Sequence, residues 1–208
     1  MAKLQLLLTF IEKIAIDFSI FGFLKIKTHK MEIIKTPLEG LLLFQPKVFE
    51  DERGYFFENW NKEKFNDLDL DFVQENQSFS KKGVLRGLHF QNPPFAQGKL
   101  VRVIQGRVLD VAVDIRKTSS TYGQYFGTEL SGENKTMFWI PPGFAHGFIT
   151  LVDNTIFSYK CTGYYNKDSE GSLLWRDQDL NIDWGIINPL VSDKDQQASS
   201  FTNFISQF

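Results

Sequence analysis

Apolar and polar residues alternate most cleanly between positions 100 and 116. There Leu109, Val111, Val113 and Ile115 take one phase and Val108, Asp110, Ala112 and Asp114 the other. A period of two is that of a β-strand, whose successive side chains leave opposite faces. Gln105-Gly106 separates this segment from an apolar run at 100–104, and the spacing predicts a hairpin turn between two strands. Further strand-like runs at 127–130, 136–140, 147–151 and 155–161 are parted by Gly, Asn, Asp and Pro. Upstream, residues 32–44 carry short apolar runs broken by Pro37 and Gly40, as an opening strand or two would. Asp51-Glu52-Arg53-Gly54 is a turn signal ahead of an aromatic run at 55–60. Asn61 is placed to cap a short helix that carries Phe65 and Leu68 on one side. Many short strands with frequent turn signals and few helices predict an all-β sandwich or closed barrel. The tail after Trp184 mixes polar and apolar residues and is expected to cover one end of it.

Composition sharpens this picture. Among 208 residues 15% are aromatic, 21 of them Phe, which suits pleated, half-buried surfaces. The formal net charge is -2 and no long basic run occurs, so nothing points to nucleic acid or an anionic membrane. Cys161 is the single cysteine. It has no intramolecular partner, and a reducing cytoplasmic setting is the simpler expectation.

Residues 4–26 are apolar but interrupted by Glu12, Lys13 and Asp17. A spanning helix wants about 20 mostly apolar residues, and central charges make one costly. The uninterrupted apolar run and small-residue cleavage site of a signal peptide are missing. Two readings stand: an amphipathic helix packing on the body or a partner, or upstream sequence ahead of a start at Met31. The chain thus divides into an N-terminal extension, 1–30, and one domain, 31–208.

The candidate chemistry lies in polar residues set among strand-like apolar ones. Val84-Leu85-Arg86-Gly87-Leu88-His89-Phe90-Gln91 reads as a strand with Arg86 and Leu88 on one face and Gly87, His89 and Gln91 on the other, unless a bulge intervenes. An imidazole ordinarily titrates near pH 6.5 and can take a proton at neutrality, so His89 is a candidate base. The plain alternative is a hydrogen-bonded core histidine. Pro141-Pro142-Gly143-Phe144-Ala145-His146 has the Pro-x-Gly-x-x-His form of the second cupin signature, and five residues separate Gly83 from His89 as in the start of the first. The metal-binding version continues His-x-His and then Glu. Here Gln91 holds the second histidine's place, no glutamate follows at the proper spacing, and Thr150 stands where an Asn is expected. Three or four ligands are the usual requirement, so the pattern reads as a cupin or jelly-roll β-barrel without a metal. Tyr159, on a strand, is a candidate acid or a packing residue. Lys99 is a candidate stabiliser of an enolate oxygen or a surface lysine.

Several blocks occur in a telling order. They are Asp51-Glu52-Arg53-Gly54-Tyr55-Phe56-Phe57-Glu58, Gln74-Glu75-Asn76, the segment from Lys82 to Gln91, and Gln97-Gly98-Lys99-Leu100-Val101-Arg102. Asp110-Val111-Ala112-Val113-Asp114-Ile115-Arg116 and Trp139-Ile140-Pro141-Pro142-Gly143-Phe144-Ala145-His146-Gly147-Phe148 follow. Tyr159-Lys160, Tyr164-Tyr165, Ser169-Glu170-Gly171 and Ser192-Asp193-Lys194-Asp195 close the set. The ordered set resembles the dTDP-4-dehydrorhamnose 3,5-epimerase family over about 31–197. The resemblance implies epimerisation at C3 and C5 of dTDP-4-dehydro-6-deoxy-D-glucose by a homodimer that uses no cofactor and no metal, feeding dTDP-L-rhamnose synthesis for surface polysaccharides. It implies that His89 is the base, oriented by Asp195, that Tyr159 is the acid, and that Lys99 lies by the C4 oxygen. Arg53, Glu58, Gln74, Glu75, Asn76, Arg86, His146, Glu170 and Lys194 would hold the nucleotide sugar, with Tyr165 stacked on the thymine. The nearest alternatives keep the scaffold: a single-centre epimerase or 3,4-ketoisomerase, or a cupin that binds a sugar nucleotide without turning it over. A metal-dependent cupin oxygenase or isomerase is a more distant one.

Overall fold

The computed structural model describes residues 16–17, 25–26, 31–68 and 70–208. In chain order the strands are β1 (Ile16–Asp17), β2 (Lys25–Ile26), β3 (Glu32–Lys35), β4 (Leu42–Gln45), β5 (Phe49–Asp51), β6 (Gly54–Phe56), β7 (Gln74–Ser80) and β8 (Val84–Gln91). They continue as β9 (Lys99–Gln105), β10 (Arg107–Asp114), β11 (Tyr125–Ser131), β12 (Met137–Ile140), β13 (Phe144–Thr150), β14 (Thr155–Cys161), β15 (Glu170–Ser172) and β16 (Leu190–Val191). A single helical turn, α1 (Asp193–Gln196), comes after β16. Strands β1 and β2 pair with each other. Apart from those four extended residues, the helical reading of 1–30 lies outside the described residues.

From residue 32 onward the chain forms two six-stranded sheets. One runs β11-β10-β13-β8-β15 with β16 joined to β8, and the other runs β3-β4-β12-β9-β14-β7. Every pair in them is antiparallel except β16 with β8. Their facing sides share one apolar cluster that takes Val101 and Val103 from β9, Val108 and Ala112 from β10, Phe138 from β12, Phe148 from β13 and Phe157 from β14. Each of these Val and Phe side chains taken out of water contributes about 1.5–3 kcal/mol. A second cluster backs the first sheet, where Trp184 packs with Leu88, Val111, Val113 and Ile149, and Phe201, Phe204 and Phe208 lie against it. The C-terminal tail therefore covers the outer face of that sheet.

Two local expectations change. Gly106 does turn the chain, with φ +85°, but β9 and β10 do not pair as a hairpin. They enter opposite sheets, and the turn is a corner between layers. The second change lies on β8. His146 of β13 sits opposite His89 while Phe148 sits opposite Arg86, so Gly87 and Leu88 together oppose Gly147. This β-bulge reverses the alternation. Arg86 and His89 consequently share the inward face, and Leu88 turns outward into the second cluster. Gly87 adopts φ +132°, and a Cβ built there would lie 2.5 Å from the Gly147 Cα. Gly87→Ala is therefore expected to destabilise the protein by about 3 kcal/mol or more through strain and backbone overlap. Denaturant unfolding of the variant against the parent protein checks this.

Candidate active site

Both sheets contribute to one cavity of about 560 Å³. From the first sheet come Arg86 and His89 on β8 and His146 on β13; from the second come Lys99 on β9 and Tyr159 on β14. The segment 190–195 completes the wall with Leu190, Ser192, Lys194 and Asp195. Phe148 and Phe157 form the floor, stacked at 4.1 Å between centroids and 17° between planes. An adjoining cavity of about 110 Å³ shares His89, Lys99 and Tyr159 and adds Gln74, Asn76, Tyr165 and Glu170.

His89 Nε2 lies 2.6 Å from Asp195 Oδ1. Asp195 is 3% exposed on α1, whose N-cap Ser192 accepts the Asp195 N–H at 3.2 Å. Its Oδ2 accepts the Gly87 N–H at 3.4 Å, so the bulge and the carboxylate meet. Burial pushes the Asp195 carboxyl up, but the bonds from His89, Gly87 and Ser192 hold it below the usual aspartate value. An ionised carboxylate only accepts. His89 therefore donates through Nε2 and keeps Nδ1 as the nitrogen able to take a proton.

Tyr159 stands on the opposite sheet. Burial, joined by Cys161 and Glu170, pushes its hydroxyl above the usual tyrosine value, against Asn76 and Arg86. It is a neutral phenol at neutral pH and can give a proton. Burial pushes Lys99 below the usual lysine value, with Cys161, Asp110 and Glu170 opposing. At the mouth Glu170 Oε2 accepts from Lys194 Nζ at 2.6 Å and from the Tyr165 hydroxyl at 3.2 Å. Arg86 rests on Ser80 Oγ at 3.3 Å through Nε and Nη2. Gln74 Oε1 accepts the Tyr165 N–H at 3.0 Å.

Three residues expected at the site do not line either cavity. Glu75 alternates with Gln74 and Asn76 on β7, so it faces away, and it pairs with Lys160 at 2.6 Å. Arg53 sits on the β5–β6 hairpin, 84% exposed and paired with Asp51. Glu58 follows that hairpin and accepts from Asn61 Nδ2 at 3.2 Å. A group that residue patterns passed over is Asp110 on β10. It is fully buried, with both carboxylate oxygens near His146 Nε2, at 2.9 and 3.1 Å. In the sequence it stands as an acidic residue in a strongly apolar strand and opens the block 110–116, with no role attached to it.

Gln91, in the place of a second cupin histidine, is committed to loops. It donates to the carbonyls of Phe95 at 2.6 Å and Tyr164 at 3.3 Å and accepts the Asn166 N–H at 2.8 Å. Thr150 accepts the Val84 N–H at 3.0 Å. Among the described residues no three His, Cys, Asp or Glu side chains converge as a metal-binding set, and no helix is long and apolar enough to cross a membrane.

Comparison with known proteins bears on what such a cavity serves. The sequence model described as dTDP-4-dehydrorhamnose 3,5-epimerase matches residues 35–203. The dTDP-4-dehydrorhamnose 3,5-epimerase of Shigella flexneri is 52% identical over 176 residues, 83% of this chain and 97% of that protein. The crystal structure of the enzyme of that name from Elizabethkingia anophelis is 52% identical with a TM-score of 0.80, covering 84% of this chain and 98% of that one. A Legionella pneumophila dTDP-6-deoxy-D-glucose-3,5-epimerase, solved in complex with dTDP-4-keto-L-rhamnose, is 47% identical with a TM-score of 0.81, covering 84% and 95%. The chain belongs to the dTDP-4-dehydrorhamnose 3,5-epimerase family.

Proposed function

We propose that this family member converts dTDP-4-dehydro-6-deoxy-D-glucose to dTDP-4-dehydro-L-rhamnose by inverting C3 and C5. The observation that carries the reading is the division of labour between the sheets. A carboxylate-held imidazole enters the cavity from one wall and a neutral phenol from the other. The C4 ketone acidifies the hydrogens on both neighbouring carbons, so one enolate-forming apparatus serves two centres. His89 removes a proton from one face through Nδ1, and the electron pair moves onto the C4 oxygen, beside the Lys99 ammonium. A donor aimed at such an oxygen is worth about 3–4 kcal/mol. The enolate then collapses and takes a proton from Tyr159 on the opposite face, which inverts the carbon. Both groups exchange protons with solvent before the second centre reacts. Asp195 fixes the imidazole tautomer and stabilises the imidazolium.

Arg86 and Lys194 hold the diphosphate, the guanidinium fork matching phosphate oxygens, and Tyr165 stacks on the base beside Gln74 and Glu170. The reaction uses proton transfer alone and calls on no cofactor. The protein works as a cytoplasmic homodimer, where its nucleotide-sugar substrate and its unpaired Cys161 are at home. The β5–β6 hairpin supports a second copy, since Phe49, Tyr55 and Phe56 are 53%, 57% and 69% exposed beside Arg53. Patches of this kind mark interaction surfaces.

The test is incubation of the purified protein with dTDP-4-dehydro-6-deoxy-D-glucose in deuterated water, followed by proton NMR. The expected result is deuterium at both C3 and C5 with the L-rhamno configuration. Inversion at only one of the two carbons rejects the reading. Light scattering on the same sample should give twice the chain mass.

A further inference from the structure

The Asp110–His146 pair has no part in the scheme above, yet its position is unusual for a purely structural contact. Asp110 projects inward from β10 between Val108 and Ala112, both fully buried core residues. Its two oxygens converge on one imidazole nitrogen. His146 stands directly opposite His89 in the β13–β8 register and lines the same cavity. The barrel thus holds two His–Asp pairs side by side, one with its carboxylate from the C-terminal turn and the other with its carboxylate from the core. A carboxylate this deep is retained only with compensating positive charge and hydrogen bonds.

Building on the epimerase reading, we propose that Asp110 is a positioning residue for the reaction. It turns the His146 Nε2–H away from the sugar, and it supplies the buried negative charge that balances the cationic wall facing the C4 oxygen. The first half follows from the bonds, because an ionised carboxylate accepts only and so assigns the proton to Nε2. The second half follows from the ring of charges around Lys99. Asp110 lies across from it on the other sheet, with His146 on β13, His89 and Arg86 on β8, and Glu170 on β15. Tyr159 and Cys161 are contributed by β14, and Cys161 is the strand partner of Lys99. Lys194 and Asp195 complete the cavity. The neighbouring strand β12 brings Met137–Ile140, none of them ionisable, and β7 brings Gln74 and Asn76. Burial holds the Asp110 carboxyl above the usual aspartate value, with His146 and Lys99 opposing. Asp110 and Lys99 thus support each other's charged forms.

Asp110→Asn keeps the shape and removes the charge. It should lower kcat about tenfold or more with little change in KM. The alkaline limb of the kcat/KM profile should move to lower pH by about one unit, because Lys99 would lose an opposing charge and shed its proton earlier. A variant with the wild-type limb overturns the proposal, whatever its rate. Should the variant fail to fold, the chain's three histidines make nitrogen NMR of ¹⁵N-histidine-labelled parent protein decisive. The neutral imidazole of His146 is expected to carry its proton on Nε2, facing Asp110, and an Nδ1–H tautomer overturns the proposal. Turnover by the parent protein, measured alongside, tests the epimerase reading separately.

Discussion

Replacing His89 with alanine should stop solvent deuterium from entering the sugar at C3 and at C5 alike, with a fall in rate of about 10² to 10⁴-fold. The joint loss follows from the proposed mechanism, in which one base serves both carbons. Among the side chains lining the main cavity, His89 is the one held by the Asp195 carboxylate, at 2.6 Å. The other imidazole, His146, is 8% exposed against 31% for His89 and is paired with the core carboxylate Asp110. A hexose presenting its two acidic C–H bonds in turn has one base to meet. Mass spectrometry of the recovered nucleotide sugar reads both positions in one experiment. Exchange at either carbon near the parent rate would mean that another group serves that carbon.

Tyr159→Phe separates proton removal from inversion. The substitution preserves the ring that packs beside Phe157 and deletes the one hydroxyl assigned to the opposite face. His89 should still withdraw a proton and return a deuteron to the same face, so label should enter the substrate with its configuration unchanged. Formation of the L-rhamno product should fall about 10² to 10⁴-fold. Inverted product at the parent rate would remove Tyr159 from the role of acid. Loss of exchange together with product would show that the hydroxyl is needed for proton removal as well.

Much of this architecture could be read from residue order. The runs at 127–130, 136–140 and 155–161 became β11, β12 and β14, and the Asn61 turn became the 3-10 helix Lys62–Leu68 with Phe65 buried. What escaped was decided by tertiary contacts. A bulge adds one residue without altering the local pattern, so nothing in Arg86-Gly87-Leu88-His89 announces that Arg86 and His89 point the same way. The sheet that receives a strand is equally silent: Gln105-Gly106 has the form of a hairpin turn, yet β9 and β10 part to different layers, and β10 is buried on both faces over most of its length. That double burial also hid Asp110. In a strand with one wet face an acidic residue is unremarkable, whereas at zero exposure it must be matched. For Arg53 and Glu75 the ordered resemblance gave a neighbourhood, and strand alternation and hairpin geometry decided which way each side chain points.

The partnership of His89 with Asp195 spans 106 positions. During synthesis the imidazole leaves the ribosome well before its carboxylate, and the strands β7 to β14 can pair while His89 still lacks its anchor. Ile187, 92% exposed, lies on the only stretch of backbone that carries Asp195 to its post. Cleavage there would part Asp195, together with β16 and the packed rings of Phe201, Phe204 and Phe208, from the strand that carries His89, so the integrity of this one loop couples the tail's packing to the imidazole's orientation.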